Sequence, residues 1–322
     1  MLAYLKLFRW PNLLVVALTQ YLFRYAIVLP VFNSYQIEPG MSHFMFFLLV
    51  LATLLITAAG YAINDYFDLR ADRINKPEKI ILGRQVSRRS AIFFHSVFNI
   101  SGVLVGSLVA VMVGQWPLAI IFLVIPTLLW MYSIRYKKKY LIGNIIVSLL
   151  AGFVIVIVWI FDYHALGITL EGRHPAADSI NIMAGVYALF AFLTTLAREI
   201  IKDTEDIRGD AKTGCRTIPI VSGIRATKTM IVTITISTIV LLVLFQVYLI
   251  RKDFALLFTY LIIAVQVPMI FMINKTITAV EKSDYKILSR YSKLTMVAGI
   301  LSMVVFYFYV REGFSIIQNS VW

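Results

Sequence analysis

Nine stretches of this chain are apolar for long enough to cross a bilayer, and little sequence is left over for anything else. They fall at roughly 11–33, 43–67, 89–113, 117–134, 141–162, 179–202, 227–250, 254–274 and 292–313. A helix needs about 20 such residues to span the hydrocarbon core. Of the 322 residues, 60% are hydrophobic and only 15% are charged, where a soluble domain carries about a quarter charged. The pattern predicts an all-α membrane protein with nine transmembrane helices.

Lys and Arg set the orientation, because cytoplasmic loops collect them. With the N-terminus in the cytoplasm, 25 of the 30 fall in or at the edge of inside loops, four in or at the edge of outside ones (Arg173, Arg251, Lys252 and Arg311), and only Arg24 lies deep within a span. An extra or missing helix would scramble that division. The inside excess suits anionic headgroups. Spread over short loops as it is, it argues against a nucleic-acid partner. Cys215 is the only cysteine and the four histidines are scattered, which excludes a disulfide framework or a thiolate metal cluster.

Two short segments stand out from this background. Asp68-Leu-Arg-Ala-Asp72 and Asp206-Ile-Arg-Gly-Asp210 share the pattern Asp-aliphatic-Arg-small-Asp, and each sits where an apolar span runs out into a basic loop. The repeat suggests a duplicated four-helix unit within a single domain covering 1–322. Steps of four on a helix keep side chains on one face, so Asn64, Asp68 and Asp72 share a stripe. Asp203, Asp206 and Asp210, at steps of three and four, are expected to do the same.

Oxygen-only clusters of this kind suit Mg²⁺, which takes carboxylates, water and substrate phosphates. Two carboxylates about 4 Å apart repel by about 4 kcal/mol at an effective dielectric near 20, so they must spread, protonate or bind a cation. Basic residues flank both clusters: Arg70, Arg73, Lys76, Lys79 and Arg84 at the first, and Arg198, Lys202, Arg208 and Lys212 at the second. Metal-bridged diphosphate held by Lys and Arg is the arrangement that stabilises departing pyrophosphate. Asp65 lies off the stripe and is expected to be solvated. Glu78, Glu205, Glu281 and Asp284 read as ordinary loop charges. Asp162, at the far end of the fifth segment, reads as an outer-face charge whose loss should be nearly silent.

The segments Asn64-Asp-Tyr-Phe-Asp68-Leu-Arg-Ala-Asp72-Arg-Ile-Asn75-Lys-Pro77 and Arg198-Glu-Ile-Ile-Lys202-Asp203-Thr-Glu-Asp206-Ile-Arg-Gly-Asp210 resemble the two Asp-rich motifs of the UbiA superfamily of intramembrane prenyltransferases. Arg9-Trp-Pro11-Asn12 and Tyr132…Lys137…Gly143-Asn144 are also similar to that family, so the likeness covers nearly the whole chain. It implies a nine-helix bundle around a central cavity open to lipid. It also implies Mg²⁺, two or more ions, bridged by a prenyl diphosphate. Asn64, Asp68, Asp72, Asp203, Asp206 and Asp210 would be the metal ligands, with Asp68, Asp72, Asp206 and Asp210 at the catalytic centre. Arg73, Lys76, Tyr132, Arg135, Lys137 and Lys202 would contact the diphosphate, joined by Lys79, Arg84 and Arg198 from the flanking sets.

Within the superfamily the wording most resembles the digeranylgeranylglyceryl phosphate synthase group. That implies a lipophilic acceptor, the free hydroxyl of geranylgeranylglyceryl phosphate, and an ether-lipid product in a bacterial or archaeal membrane, with no obligate protein partner. Asn12, Asn144 and Lys212 would position the acceptor, and Lys138 and Lys139 add cations for its phosphate. An aromatic or macrocyclic acceptor is the alternative. An ion-coupled transporter is a remote one, since its acidic sites would lie at the midplane on broken helices. One departure stands out: where relatives carry Arg-Pro-Ile-Pro-Ser-Gly after the first motif, this chain has Lys79-Ile-Ile-Leu-Gly83. Loss of two prolines is expected to free that loop.

Overall fold

The computed structural model describes residues 2–167, 174–250 and 255–319. All four cations assigned to the outer side, Arg173, Arg251, Lys252 and the side chain of Arg311, lie outside the described residues. Among the described residues, nine helices are long and apolar enough to cross a membrane. They are α1 Trp10–Ser34, α2 His43–Asn75, α3 Arg88–Met112, α4 Trp116–Ile134, α5 Ile142–Ala165, α6 Pro175–Glu205, α7 Ile218–Val247, α8 Ala255–Thr278 and α9 Lys282–Phe308. Several outrun the apolar stretch that announces them. The most important is α2, which continues as unbroken helix through Asp68 and Asp72 to Asn75.

The chain forms two compact units: Met1–Leu18, Met41–Ile146 and Asp206–Gly223 make the first, and Thr19–Gly40, Val147–Glu205 and Ile224–Trp322 the second. In the first unit, α2, α3 and α4 pack through small residues. A Cβ on Gly102 of α3 would lie 2.7 Å from Ile56 Cγ1, and one on Gly106 would lie 2.3 Å from the Phe122 ring. Lipid gives apolar helices no hydrophobic reason to associate, so close approach at glycine supplies the contact. Leu7, Ala62, Leu69, Leu82, Val86 and Ala91 close the end of this unit that carries the first motif.

That cluster corrects the expectation of a free loop after the motif. Leu82 and Val86 are buried. The amide of Gly83 donates to Val86 O at 2.8 Å, and Gln85 N donates to Ile81 O at 2.9 Å. Gly83 takes φ 81°, the left-handed region that glycine adopts without penalty. Apolar anchoring replaces the missing prolines.

The second unit is tied by polar pairs, the first at an exposed asparagine and the others buried among apolar side chains. Trp159 Nε1 donates to Asn181 Oδ1 at 2.7 Å, and Tyr187 Oη lies 2.8 Å from Ser302 Oγ. Arg24, in a π-helical turn of α1 (Phe23–Val28), donates through Nε to both oxygens of Asp162, at 3.2 and 3.1 Å. Both side chains are almost wholly inaccessible, at 1% and 0%. Asp162 is therefore half of a buried ion pair rather than a solvated charge, so its loss bears on stability, a separate matter from turnover. Glu205 is likewise buried rather than an ordinary loop charge.

Candidate active site

The first acidic motif is laid out by helix geometry alone. Asn64, Asp68 and Asp72 stand on successive turns of α2, and Asn64 Nδ2 donates to Asp68 Oδ2 at 2.8 Å. Lys137, on the turn between α4 and α5, donates to Asp68 Oδ2 and, at 3.3 Å, to Asn64 Oδ1. A Cβ on Gly143 would lie 2.7 Å from Lys137 Cα, so glycine there lets the start of α5 close on the lysine turn. Burial acts to lower the Lys137 pKa, but Asp68, Tyr132 and Asp72 outweigh it and push it up. The ammonium stays charged.

The second motif is built differently from its helical spacing. Helix α6 ends at Glu205, Asp206 sits at a break (φ −101°, ψ 7°), and a short helix, Ile207–Lys212, carries Asp210. Asp203, Asp206 and Asp210 are thus not on one continuous helical face. The break is held from the first motif. Asn75 Nδ2 donates to Asp206 O at 2.8 Å, and Gly209 N donates to Asn75 Oδ1 at 2.8 Å. Lys76 Nζ then meets Asp206 Oδ2 at 2.7 Å. Asp210 shares the field of Asp206, Asp68 and Asp72. Burial and those three carboxylates push its pKa up to about 7 against the pull of Lys137.

Arg9 completes the cluster, and nothing in the motif spacing pointed to it. Its backbone adopts φ 51° at the start of α1, its Nη2 meets Asp65 Oδ1 at 2.6 Å, and its guanidinium lies 5.0 Å from the Tyr61 ring centroid. Asp65 is therefore ion-paired rather than solvated. The one signal in the sequence was the Arg9-Trp-Pro11-Asn12 segment.

Five carboxylates (Asp65, Asp68, Asp72, Asp206 and Asp210) thus gather with three cations (Arg9, Lys76 and Lys137) in the first unit. Asp206 Oδ1 is buried without a hydrogen-bond partner among the described residues. Among those residues no three acidic, His or Cys side chains stand ready around one ion position. Lysines hold Asp68 and Asp206 instead. An acidic excess, all-oxygen donors and an orphaned carboxylate oxygen fit a hard divalent cation that brings part of its coordination with a phosphate ligand.

The other expected residues lie as follows. Tyr132 is half-buried beside Lys137. Asn12 is half-buried and Asn144 buried, both in the first unit. Arg73, Arg135 and Lys212 are exposed. Arg84 is exposed and donates to Pro77 O at 3.1 Å. The side chain of Lys79 lies outside the described residues. Asp203, Arg198 and Lys202 belong to the second unit, where Glu199 accepts from Arg198 Nη1 at 3.0 Å and from Lys202 Nζ at 2.9 Å.

Residues 27–297 match the UbiA prenyltransferase family. This chain belongs to that family. Among UbiA-family relatives, the digeranylgeranylglyceryl phosphate synthase of Methanothermobacter thermautotrophicus is 32% identical over 269 residues, 81% of this chain and 84% of the relative. The enzyme of the same name from Methanosphaera stadtmanae is 26% identical over 255 residues, 79% and 85% of the two chains. A solved digeranylgeranylglyceryl phosphate synthase structure matches with a TM-score of 0.63 at 21% identity, over 95% of this chain and 97% of that one. A UbiA homolog from Aeropyrum pernix K1 matches with a TM-score of 0.60 at 15% identity, over 90% and 96%. These likenesses establish the UbiA fold. Membership makes the protein a prenyltransferase, and its nine apolar helices make it a multi-pass membrane protein.

Proposed function

We propose that this chain transfers a prenyl group, geranylgeranyl by preference, from its diphosphate to the free hydroxyl of geranylgeranylglyceryl phosphate, forming an ether lipid. The observation that carries the reading is the gathering of Asp68, Asp72, Asp206 and Asp210 with Lys76 and Lys137, one carboxylate oxygen left unpartnered. The names of the relatives support the acceptor.

Mg²⁺, in two or more ions, would supply charge neutralisation for the diphosphate and its leaving oxygen. Asn64, Asp68, Asp72, Asp203, Asp206 and Asp210 would hold it. Lys137 and Lys76 would exchange their carboxylate partners for diphosphate oxygens, which keeps charge balanced as the substrate enters. Lys202, Arg198, Arg73, Arg135, Tyr132, Lys79 and Arg84 would line the remaining approach. The C1–O bond then breaks with its electron pair on the diphosphate. A lone pair of the acceptor oxygen bonds C1, and the acceptor proton leaves with pyrophosphate. Apolar helices around a central cavity would keep water from an allylic cation. Asn12, Asn144 and Lys212 would orient the acceptor. The Lys and Arg distribution supports a cytoplasmic N-terminus and a cytoplasm-facing site, and the family match supports a single prenyltransferase domain.

The test is product analysis. Membranes containing the protein receive geranylgeranyl diphosphate, Mg²⁺ and either geranylgeranylglyceryl phosphate or an aromatic acceptor, and extracted lipids are weighed by mass spectrometry. An ether-lipid product supports the reading. A prenylated ring moves the acceptor to the aromatic class, and no Mg²⁺-dependent pyrophosphate release removes the reading altogether.

A further inference from the structure

We propose that Asn75 is a positioning residue: its carboxamide docks the broken second acidic segment onto α2 in the one register that brings both aspartate pairs to a shared cation. The inference rests on the reading of the carboxylates as a metal site and adds to it the device that assembles the site.

Asn75 is the last residue of α2 and is 8% exposed. Its two polar atoms satisfy two backbone groups of the other motif, Asp206 O and Gly209 N. Asp206 is where the helix breaks; its carbonyl already accepts from Gly209 N at 3.1 Å and Asp210 N at 3.2 Å, and the Asn75 amide adds a tertiary contact that ties this turn to α2. The same amide explains the small residue in the second pentapeptide. A Cβ on Gly209 would lie 2.4 Å from Asn75 Nδ2 and 2.7 Å from Ala71 O. Ala71 and Gly209 occupy the same fourth position in Asp68-Leu-Arg-Ala-Asp72 and Asp206-Ile-Arg-Gly-Asp210. The two motifs therefore cross at their equivalent small residues, with an aspartate on either side of each crossing point. Lys76, the next residue, grips the Asp206 side chain. Consecutive residues thus fix backbone and carboxylate separately.

The experiment compares the purified full chain with Asn75→Ala, Gly209→Ala and, as a packing control in the same unit, Gly60→Ala. Mn²⁺ binding is read by electron paramagnetic resonance, the Mg²⁺ concentration for half-maximal pyrophosphate release by assay, and Tm by thermal unfolding. Asn75→Ala and Gly209→Ala should each weaken Mn²⁺ binding about ten-fold, the size of one or two lost hydrogen bonds. The Mg²⁺ requirement should rise in parallel. Gly60→Ala, whose Cβ meets only Leu129 at 3.1 Å, should shift Tm at most. If Asn75→Ala does not fold, Gly209→Ala carries the test, because it removes no polar group. Wild-type Mn²⁺ affinity in the folded variants, with only Tm lowered, overturns the proposal while leaving the metal site standing. Failure of the wild-type chain to bind Mn²⁺ overturns the metal reading and the docking role with it.

Discussion

Arg24 and Asp162 face each other with essentially no exposure, whereas Asp68 with Lys137 and Asp206 with Lys76 keep between 12% and 23% of their side-chain surface accessible. The closed pair is one cation for one carboxylate. The open cluster has more carboxylates than cations and an oxygen with no partner. In a membrane protein an ionisable residue is a functional candidate by default. These two sites teach that stoichiometry and access sort the candidates: a balanced, sealed pair holds helices, and an unbalanced, reachable one is ready for a ligand.

The comparison breaks most visibly on catalysis. Asp68→Asn and Asp206→Asn should each lower turnover about a thousand-fold, with Tm in detergent nearly unchanged, since each merely releases a lysine toward solvent. Pyrophosphate release from prenyl diphosphate in washed membranes reads the first effect and thermal unfolding the second. Near-normal turnover in both variants would put the open cluster in the same class as the closed one.

On stability the order reverses. Asp162→Asn or Arg24→Met should cost about 3–5 kcal/mol, the usual penalty for stranding one member of a buried pair. The double variant Arg24→Met/Asp162→Leu should recover much of that. Folded protein should keep wild-type turnover per molecule. A double variant as unstable as either single one would show that the pair does more than neutralise itself.

How far these sites were legible in the sequence follows the same division. The spans were legible because a bilayer demands length and hydropathy, and the observed α3, α4 and α8 begin within a residue of expectation. The first motif was legible because α2 runs on as helix through Asp72, so spacing translated directly into a shared face. The second was not, because the helix breaks at Asp206. What ties the Asp206–Gly209 turn to the first motif is Asn75, more than 130 residues away in sequence. Arg9 with Asp65 and Arg24 with Asp162 escaped for the same reason. Such pairs are set by tertiary packing, and no local periodicity encodes them.

Cations give a finer gradation within the open cluster. Lys137→Met should lower kcat/KM about a hundred-fold. It removes the charge that Asp68 holds in place and that the proposed diphosphate would take over. Lys76→Met should fall somewhat short of that, because the Asn75 amide still secures the Asp206 backbone. Steady-state kinetics over a range of prenyl diphosphate concentrations separates them, and equal, small losses would argue that neither lysine meets the leaving group.

Arg84→Ala should have the smallest effect, within about three-fold in kcat/KM. The flanking position that made Arg84 a candidate clamp leads, in the fold, to an exposed guanidinium that donates to Pro77 O. Exposed charges contribute little when solvent screens them. The loop that carries it is pinned from below by Leu82 and Val86. Leu82→Ala should therefore disturb this region more than Arg84→Ala, through lost packing rather than lost charge. A large loss in Arg84→Ala with a wild-type Leu82→Ala would reverse that ranking, and would mean the loop swings its arginine onto the substrate despite the apolar anchor.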